Sequence, residues 1–345
     1  MNFSSITIKD IATALNLSVS TVSKALRDSY EISENTKKIV NEYALEHNYR
    51  PNPIAQSLKQ GHSKSIGIVV STIENQFFSQ VINGIESVAY EAGFNVIITQ
   101  THESSDLEVK NVAHLTHHSI DGLLISLSTE TKDVEYLQKL HRQGLPIVFF
   151  DRISDEIETH KVISDNFKGS YDATRHLLDG GYKRIAHITN PPNISITKER
   201  FAGYQKALEE SGMPIDEEII IHCPHGGRDT GEVENAINQL LSLNDKPDAI
   251  FTTSDRITTT TLFLLNKLKI KIPQEIALIG YTNTTLADVL NPSLSSVYQP
   301  GFEMGQKATQ KLLELILAKR PVHEFETIVL PTQLVTRDST APKNR

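Results

Sequence analysis

Residues 7–26 read TIKDIATALNLSVSTVSKAL, and the spacing within them decides how the N-terminal part folds. Ile8, Ile11, Ala12 and Leu15 fall at i, i+3, i+4 and i+7, which is one apolar stripe of a short helix. A turn at residues 16–18 follows, with Ser18 placed to cap the next helix. That second helix, about residues 19–27, is expected to bury Val22, Ala25 and Leu26 and to turn Ser20, Thr21, Lys24 and Arg27 outward. Ser33 can cap a third helix whose inner face would be Ile39, Val40, Tyr43 and Ala44. Two short helices joined by a tight turn, the second small, polar and basic, form a helix-turn-helix pattern, a unit suited to the DNA major groove.

Beyond it, two prolines in RPNPIAQSLK (residues 50–59) stop the third helix, and Pro53 suits the first turn of a new short one. Residues 60–65 are polar, contain Gly61 and read as a linker. From Ile66 the pattern changes to alternating strand and helix. Strands are expected to begin near Ile66, Asn95, Gly122, Pro146, Val162, Arg184, Ile219, Ala249 and Ile276, mostly with room for a helix between them. Gly93, Gly144, Gly181 and Gly212 each follow a helical run, where a left-handed C-cap favours glycine. The fold class expected is α/β: a small all-α headpiece joined to doubly wound parallel sheets covered by helices. Only eleven residues separate Phe150 from Val162, too few and too polar for a crossover helix, so the chain is expected to change sheets there. Residues 291–300 offer a return crossing. The domain reading is therefore a headpiece with hinge over 1–60, the hinge helix being about 52–60, and a body over 61–345. Within the body, one lobe takes about 65–161 and 293–323, the other 162–292 and 324–338. A cleft between two such lobes is a common place for a small ligand.

The 345 residues carry a net charge of −8, which as a uniform figure argues against nucleic-acid binding. The charge is not uniform. Residues 1–64 hold eight Lys or Arg and six acids, a net +2, so the remainder carries −10. No apolar run approaches the ~18 residues of a membrane span, and MNFSSITIKD lacks the apolar core of a secretory signal, so a cytoplasmic, membrane-free protein is expected. Cys223 is the only cysteine and cannot form an internal disulfide.

With these residues in place, the chain resembles the LacI/GalR family of ligand-gated bacterial transcription regulators along essentially its whole length. The resemblance rests on residues 7–12 and 19–26, on Tyr49-Arg50-Pro51-Asn52 with residues 55–58, and in the body on Val148-Phe149-Phe150-Asp151-Arg152, Asp165-Asn166, residues 181–185, 199–204 and 273–281, and Gln299-Pro300. It implies a three-helix headpiece, a hinge helix and two periplasmic-binding-protein-like lobes. It also implies a homodimer on a pseudo-palindromic operator, because symmetric half-sites require a two-fold protein. The amphipathic stretches 77–92 and 302–318 belong to the first lobe, and in this family such surfaces help to form the dimer.

Residue by residue, the resemblance places Val19, Ser20 and Lys24 at base edges, with Thr7, Thr21, Ser23 and Arg27 beside them on the DNA, Thr21 and Ser23 at phosphates. Lys24 stands where many relatives carry arginine, and lysine lacks the rigid fork that reads guanine. Asn52, Ala55 and Leu58 belong to the hinge, where Leu58 matches the residue that wedges into the minor groove. In the cleft the resemblance points to Phe77, Phe78, Ser126, Asp151, Asp165, Arg200, Ser254, Asp255 and Thr282. Many relatives have aspartate at Thr282, so Asn283 is a candidate to replace the missing polarity. The implied effector is a sugar or a sugar derivative such as a sugar phosphate, with a nucleobase second.

Two histidine groups, His114/His117/His118 and His222/Cys223/His225, lack a second ligand set at metal-site spacing, and no metal or other cofactor is expected. His225-Gly226-Gly227 reads instead as a cleft loop. No G-x-G-x-x-G follows Ile66, and no phosphate loop, G-x-S-x-G or H-E-x-x-H occurs, so catalysis is not expected. The resulting expectation is an allosteric regulator, a repressor whose operator affinity responds to a ligand held between the lobes.

Overall fold

The computed structural model describes residues 6–49 and 62–343, which divide into two compact units, 1–63 and 64–345. In the first unit, side-chain caps set the helix starts. Thr7 and Asp10 form a reciprocal capping box at Ile8–Ala14. Ser18 accepts from the Thr21 amide at the start of Val19–Ala25, and Ser33 accepts from the Thr36 amide at the start of Glu34–Glu46. Ile11, Ala12, Val22, Ala25, Val40 and Ala44 form the core of this unit. Ile39 is a correction to the expected inner face. It is 43% exposed, and Lys37 takes the buried place beside Val40, its ammonium 2.8 Å from both Asp28 and Glu34. A lysine can lie along an apolar face when its charged end reaches acids at the rim.

The second unit contains two six-stranded sheets. The strands are β1 (Ser65–Val70), β2 (Asn95–Gln100), β3 (Gly122–Ile125), β4 (Ile147–Phe150), β5 (Lys161–Ser164), β6 (Ile185–Thr189), β7 (Ile220–His222), β8 (Ala249–Thr252), β9 (Ala277–Tyr281), β10 (Ser295–Tyr298), β11 (Thr327–Leu330) and β12 (Gln333–Val335). The first sheet runs β11-β5-β4-β3-β1-β2 and is parallel throughout. The second runs β12-β10-β9-β8-β6-β7, with only β12 antiparallel to its neighbour. The inner strands β3, β4, β8 and β9 are buried on both faces, as sheets covered by helices on each side require. Gly93, Gly144, Gly181 and Gly212 all have positive φ at helix exits.

Two helix pairs are held unusually close by glycine. A Cβ on Gly84 of Gln76–Glu91 would lie 2.0 Å from the Phe302 carbonyl oxygen of Gly301–Leu317, and one on Gly305 would lie 2.0 Å from that of Val81. Gly203 plays the same part in the second lobe, where Ser195–Glu210 packs on Asn166–Asp179 and a Cβ would meet the Phe167 carbonyl at 2.2 Å.

The expected change of sheet between Phe150 and Val162 does not occur. Phe150 pairs directly with Val162 in the same parallel sheet. Neighbouring strands lie only about 4.8 Å apart, so a short irregular return suffices when its backbone is tied down. Here Ile157 anchors the return in the core, and the Asp151 amide donates to the Val162 carbonyl at 3.0 Å. The chain crosses between lobes after β5, after β10 and after β11. This corrects the lobe boundaries: residues 162–164 and 327–330 belong to the first sheet and 295–298 to the second, while 333–335 lie in the second as expected.

Candidate functional site: a polar cleft between two lobes

The strand carboxyl ends of both lobes converge on one cleft, where open α/β sheets commonly bind ligands. Two chambers lie in it. The inner one, with about 390 Å³ of free space, is lined by Asn75, Phe77, Phe78, Asp151, Arg152, Asn190, Ile196, Arg200, Ser254, Asp255, Tyr281, Thr282, Asn283 and Gln299. Phe77 and Phe78 begin the helix Gln76–Glu91, whose N-cap Asn75 accepts from the Phe77 amide at 2.9 Å. Their rings meet edge to face with centroids 5.2 Å apart and form an apolar wall continuous with the core of the first lobe.

The same chamber is lined by buried charges. Asp151 follows β4 with φ 59°, so the chain turns as it leaves the sheet and the carboxylate lies at the strand end. Ser126 donates to that carboxylate at 3.4 Å. Burial pushes the Asp151 carboxyl up, against the pull of Arg152 and Arg200. Arg200, only 2% exposed, donates through Nε to Asn166 at 2.8 Å and through Nη1 to the Thr253 carbonyl at 2.5 Å. Its guanidinium lies 3.8 Å above the Tyr281 ring, and burial lowers its pKa. Arg152 pairs with Glu103 at 2.6 Å; its buried Nε lies 3.9 Å from the Asp151 carboxylate and makes no hydrogen bond among the described residues. Burial pushes Glu103 up, but the Arg152 charge outweighs it and holds the carboxyl below its ordinary range. This arrangement supplies an aromatic face, a carboxylate acceptor and guanidinium donors to a small hydroxylated ring.

Of the residues named from sequence, Phe77, Phe78, Asp151, Arg200, Ser254, Asp255 and Thr282 line this chamber. Ser126 is not on its wall and stands behind Asp151. Asp165 is also absent from the wall: its carboxylate accepts from the Lys168 amide at 2.9 Å as the N-cap of Asn166–Asp179. Thr282 donates to Asp255, so a carboxylate stands beside the threonine, supplied from the next strand end. Burial raises the Asp255 pKa, and the Thr282 hydroxyl opposes that shift. The Asn283 side chain is fully used. Its amide donates to Gln80 at 2.6 Å and to the Gln299 carbonyl at 2.7 Å, and its oxygen accepts from the Gln299 amide at 3.0 Å. It fastens the crossing at Gln299 and does not replace the missing carboxylate.

The outer chamber, with about 590 Å³ of free space, shares Asn75, Arg152, Asn190, Ser254 and Asp255 with the inner one and adds His102, Glu103, His225, Gly226, Arg228 and Arg256 among others. Contacts bridge the lobes here: Arg228 donates to the His102 carbonyl, Asn193 to the Thr129 carbonyl at 3.2 Å, and Arg256 lies 3.4 Å from Glu74. Arg152, Asn190, Tyr281, Gln299, His102 and Arg228 were missed from sequence. Most sit within a few residues of a strand's carboxyl end, a signal that could have found them.

The histidine groups have other partners. His222 Nδ1 donates to the Asn190 carbonyl at 3.0 Å, Cys223 is buried with its thiol pushed up to about 12 by desolvation, and the His225 ring pairs with Glu232. Among the described residues, no group of three His, Cys, Asp or Glu is placed to hold a metal ion.

In the first unit, Val19 and Ser20 are exposed at the start of Val19–Ala25. Arg27 donates to the Ser23 hydroxyl at 2.6 Å and to its carbonyl at 2.9 Å. Lys24 is paired with Glu31. Thr7 is occupied in the capping box. Asn52, Ala55 and Leu58, with the expected hinge helix at 52–60, lie outside the described residues.

Comparison with known proteins gives two family matches. Residues 7–52 match the model of bacterial regulatory proteins of the lacI family, and residues 63–337 match periplasmic binding proteins and the sugar binding domain of the LacI family. The chain is 30% identical over 338 residues to the HTH-type transcriptional repressor PurR of Vibrio atlanticus, covering 98% of this chain and 99% of the relative. It is 32% identical over 333 residues to the ribose operon repressor of Haemophilus influenzae, covering 96% and 98%. A LacI family transcriptional regulator from Enterococcus faecium, solved with bound ribose, superposes with a TM-score of 0.70 at 28% identity, covering 81% of this chain and all of that one.

Proposed function

The chain belongs to the LacI family of bacterial regulatory proteins, and from that premise we propose how it works as a DNA-binding transcriptional repressor. The helix-turn-helix unit docks on operator DNA as one half of a symmetric dimer in the cytoplasm, with Val19, Ser20 and Lys24 at base edges. Thr21 and Ser23 serve the phosphates with Thr7 and Arg27 beside them on the DNA, and Asn52, Ala55 and Leu58 the hinge contact. The effector is a sugar or sugar derivative bound between the lobes. Asp151 accepts from its hydroxyls, Arg200 and Arg152 donate to its oxygens, and Phe77 and Phe78 cover an apolar ring face. The protein performs no catalysis; the ligand acts by changing how far the lobes close.

The observation that carries this reading is one chamber lined by Arg152 and buried Asp151, Phe77 and Phe78 of the first lobe together with buried Arg200 of the second. A group bonded to residues of both lobes favours the closed arrangement, and a ligand shifts an equilibrium only by its differential affinity for the two states.

The test is a gel shift on an operator selected from random DNA, titrated with a panel of pentoses and hexoses. Wild-type operator affinity should change on addition of one of them and should fall steeply with salt. Asp151→Asn should bind the operator as wild type does. Its sugar affinity should drop by about 10- to 150-fold, the equivalent of a hydrogen bond to a charged group. If no sugar alters either operator affinity or thermal stability, the cleft assignment is wrong.

A further inference from the structure

We propose that Asn166 is a positioning residue that holds Arg200 in the cleft and ties it to all three crossings between the lobes, so that a ligand contact at Arg200 is felt at the hinge. This rests on the reading of the inner chamber as a sugar site. Asn166 is 1% exposed and opens the helix Asn166–Asp179, two residues after β5 ends. An asparagine amide accepts on one edge and donates on the other, and here both edges are used. Its oxygen accepts from Arg200 Nε at 2.8 Å, and its nitrogen donates to the Ser164 carbonyl at 3.1 Å and to Glu199 at 2.9 Å. The Ser164 carbonyl can only accept, which fixes the edge of the amide that faces it. The Asn166 carbonyl accepts from the Tyr281 hydroxyl at 2.9 Å, so the same residue holds the ring on which the Arg200 guanidinium lies.

The bonds continue into each crossing. Ser164 ends β5 in the first sheet, and its hydroxyl accepts from Gln299 Nε2 at 3.2 Å. Gln299 belongs to the second crossing, between β10 and the helix Gly301–Leu317. In the third, Thr332 donates to the Asp165 carbonyl at 3.3 Å, and the Asp165 amide donates to the Leu330 carbonyl at 2.8 Å. The pair Asp165–Asn166 is thus bonded, directly or through Ser164, to segments of all three. Ser164, Asn166 and Gln299 are buried, so breaking these bonds strands polar groups away from water. Backbone rotation between two lobes is absorbed by the few residues that join them, which are these.

Arg200 provides the link to the ligand. It anchors Nε on Asn166 and Nη1 on the Thr253 carbonyl, while Nη2 makes no hydrogen bond among the described residues and the side chain lines the inner chamber. A guanidinium is planar and rigid, so an oxygen that draws Nη2 turns Nε with it. The acceptor of Nε is the amide fastened to Ser164. A side chain that only shaped the chamber would meet Arg200 and stop there.

The test takes the full chain and the sugar of the above panel that alters operator affinity, and compares wild type with Ser164→Ala and Asn166→Ala. Calorimetry gives the sugar Kd, and gel shifts give the factor by which saturating sugar changes operator affinity. A residue that only shapes the chamber weakens sugar binding in open and closed arrangements alike and leaves that saturated factor unchanged. Ser164→Ala removes a hydroxyl that lies outside the chamber lining and does not bond Arg200. Its sugar Kd should stay within about 2-fold of wild type while the saturated factor shrinks at least about 3-fold. Asn166→Ala should shrink the factor as much and also weaken sugar binding by about 10-fold, because Arg200 Nε loses its acceptor. Should thermal melting show Asn166→Ala unfolded, Ser164→Ala decides alone. A wild-type saturated factor in Ser164→Ala would overturn the coupling and leave the sugar site standing. Failure of every sugar to bind wild-type protein that still binds operator would overturn the sugar site and the coupling with it.

Discussion

His187 lies in the second lobe on β6, fully buried, with neither ring nitrogen hydrogen-bonded among the described residues. Its ring stacks on Tyr204 with centroids 4.6 Å apart and tilts against Phe251 and Phe201. Burial, with a smaller push from His222, lowers its pKa to about 3. An unfolded histidine titrates near ~6.5, so acid is bound preferentially by the unfolded chain. The neutral ring's contribution is complete above that value and is lost as pH falls toward the folded pKa, at about 1.4 kcal/mol per pH unit. Lowering pH from 7 to 5 should therefore cost the second unit about 2 kcal/mol through this residue. In His187→Phe the melting temperature should fall less between pH 7 and pH 5 than in wild type; identical pH dependence would mean the ring finds a proton acceptor. Nothing in the sequence marks His187, because alternation along a strand says which face a residue takes and not what meets it there. Asp151 and Arg200 were legible because the segments around them are distinctive. The step from Asp151 to Arg152 was not taken, since only the folded chain shows the Arg152 guanidinium buried in the chamber wall.

At the scale of elements, the helix Val19–Ala25 was readable from its cap and its apolar spacing, and the strand starts from the change of period at Ile66. Pairing across a turn was not. Lys24, expected at a base edge, is held by Glu31 beyond the helix end, and both side chains are more than 40% exposed. Such a pair adds little to stability but must break before the ammonium can reach DNA. Glu31→Gln should strengthen operator binding by about 2- to 5-fold at fixed salt, as release of a surface pair of up to ~1 kcal/mol implies. Unchanged affinity in a gel shift would place Lys24 away from the duplex. The stretch between β4 and β5 was misread for a related reason. Its length excludes a helix, but the anchoring of Ile157 and the pairing of Phe150 with Val162 depend on residues contributed by the rest of the sheet.

The whole molecule is two units of unequal size. One small apolar core holds the helix-turn-helix unit, while four clusters hold the body. Small cores bury a smaller share of their chain and are correspondingly marginal. Scanning calorimetry should therefore resolve two transitions, the helix-turn-helix unit melting first. A cleft ligand at 100 times its Kd should add about 2.7 kcal/mol to the upper transition and leave the lower one in place. A single transition that moves with ligand would show the units to be energetically coupled even without DNA. The net charge of −8 is likewise a property of the whole chain that hides its parts, +2 over residues 1–64 and −10 beyond them.

By itself, the sequence determined the helix-turn-helix unit, the alternating β/α body, the family and half of the inner chamber's residues. Caps, periodicities and strand-end motifs are local, and local patterns can be read without partners. Only the tertiary structure decided which sheet receives residues 161–164 and 295–298, that Asp165 caps a helix instead of facing the cleft, and that Asn283 is consumed by Gln80 and Gln299. It alone brought Arg152, Arg228 and Arg256 together from three strand ends in two lobes. Charges that far apart in sequence meet only once both sheets are assembled.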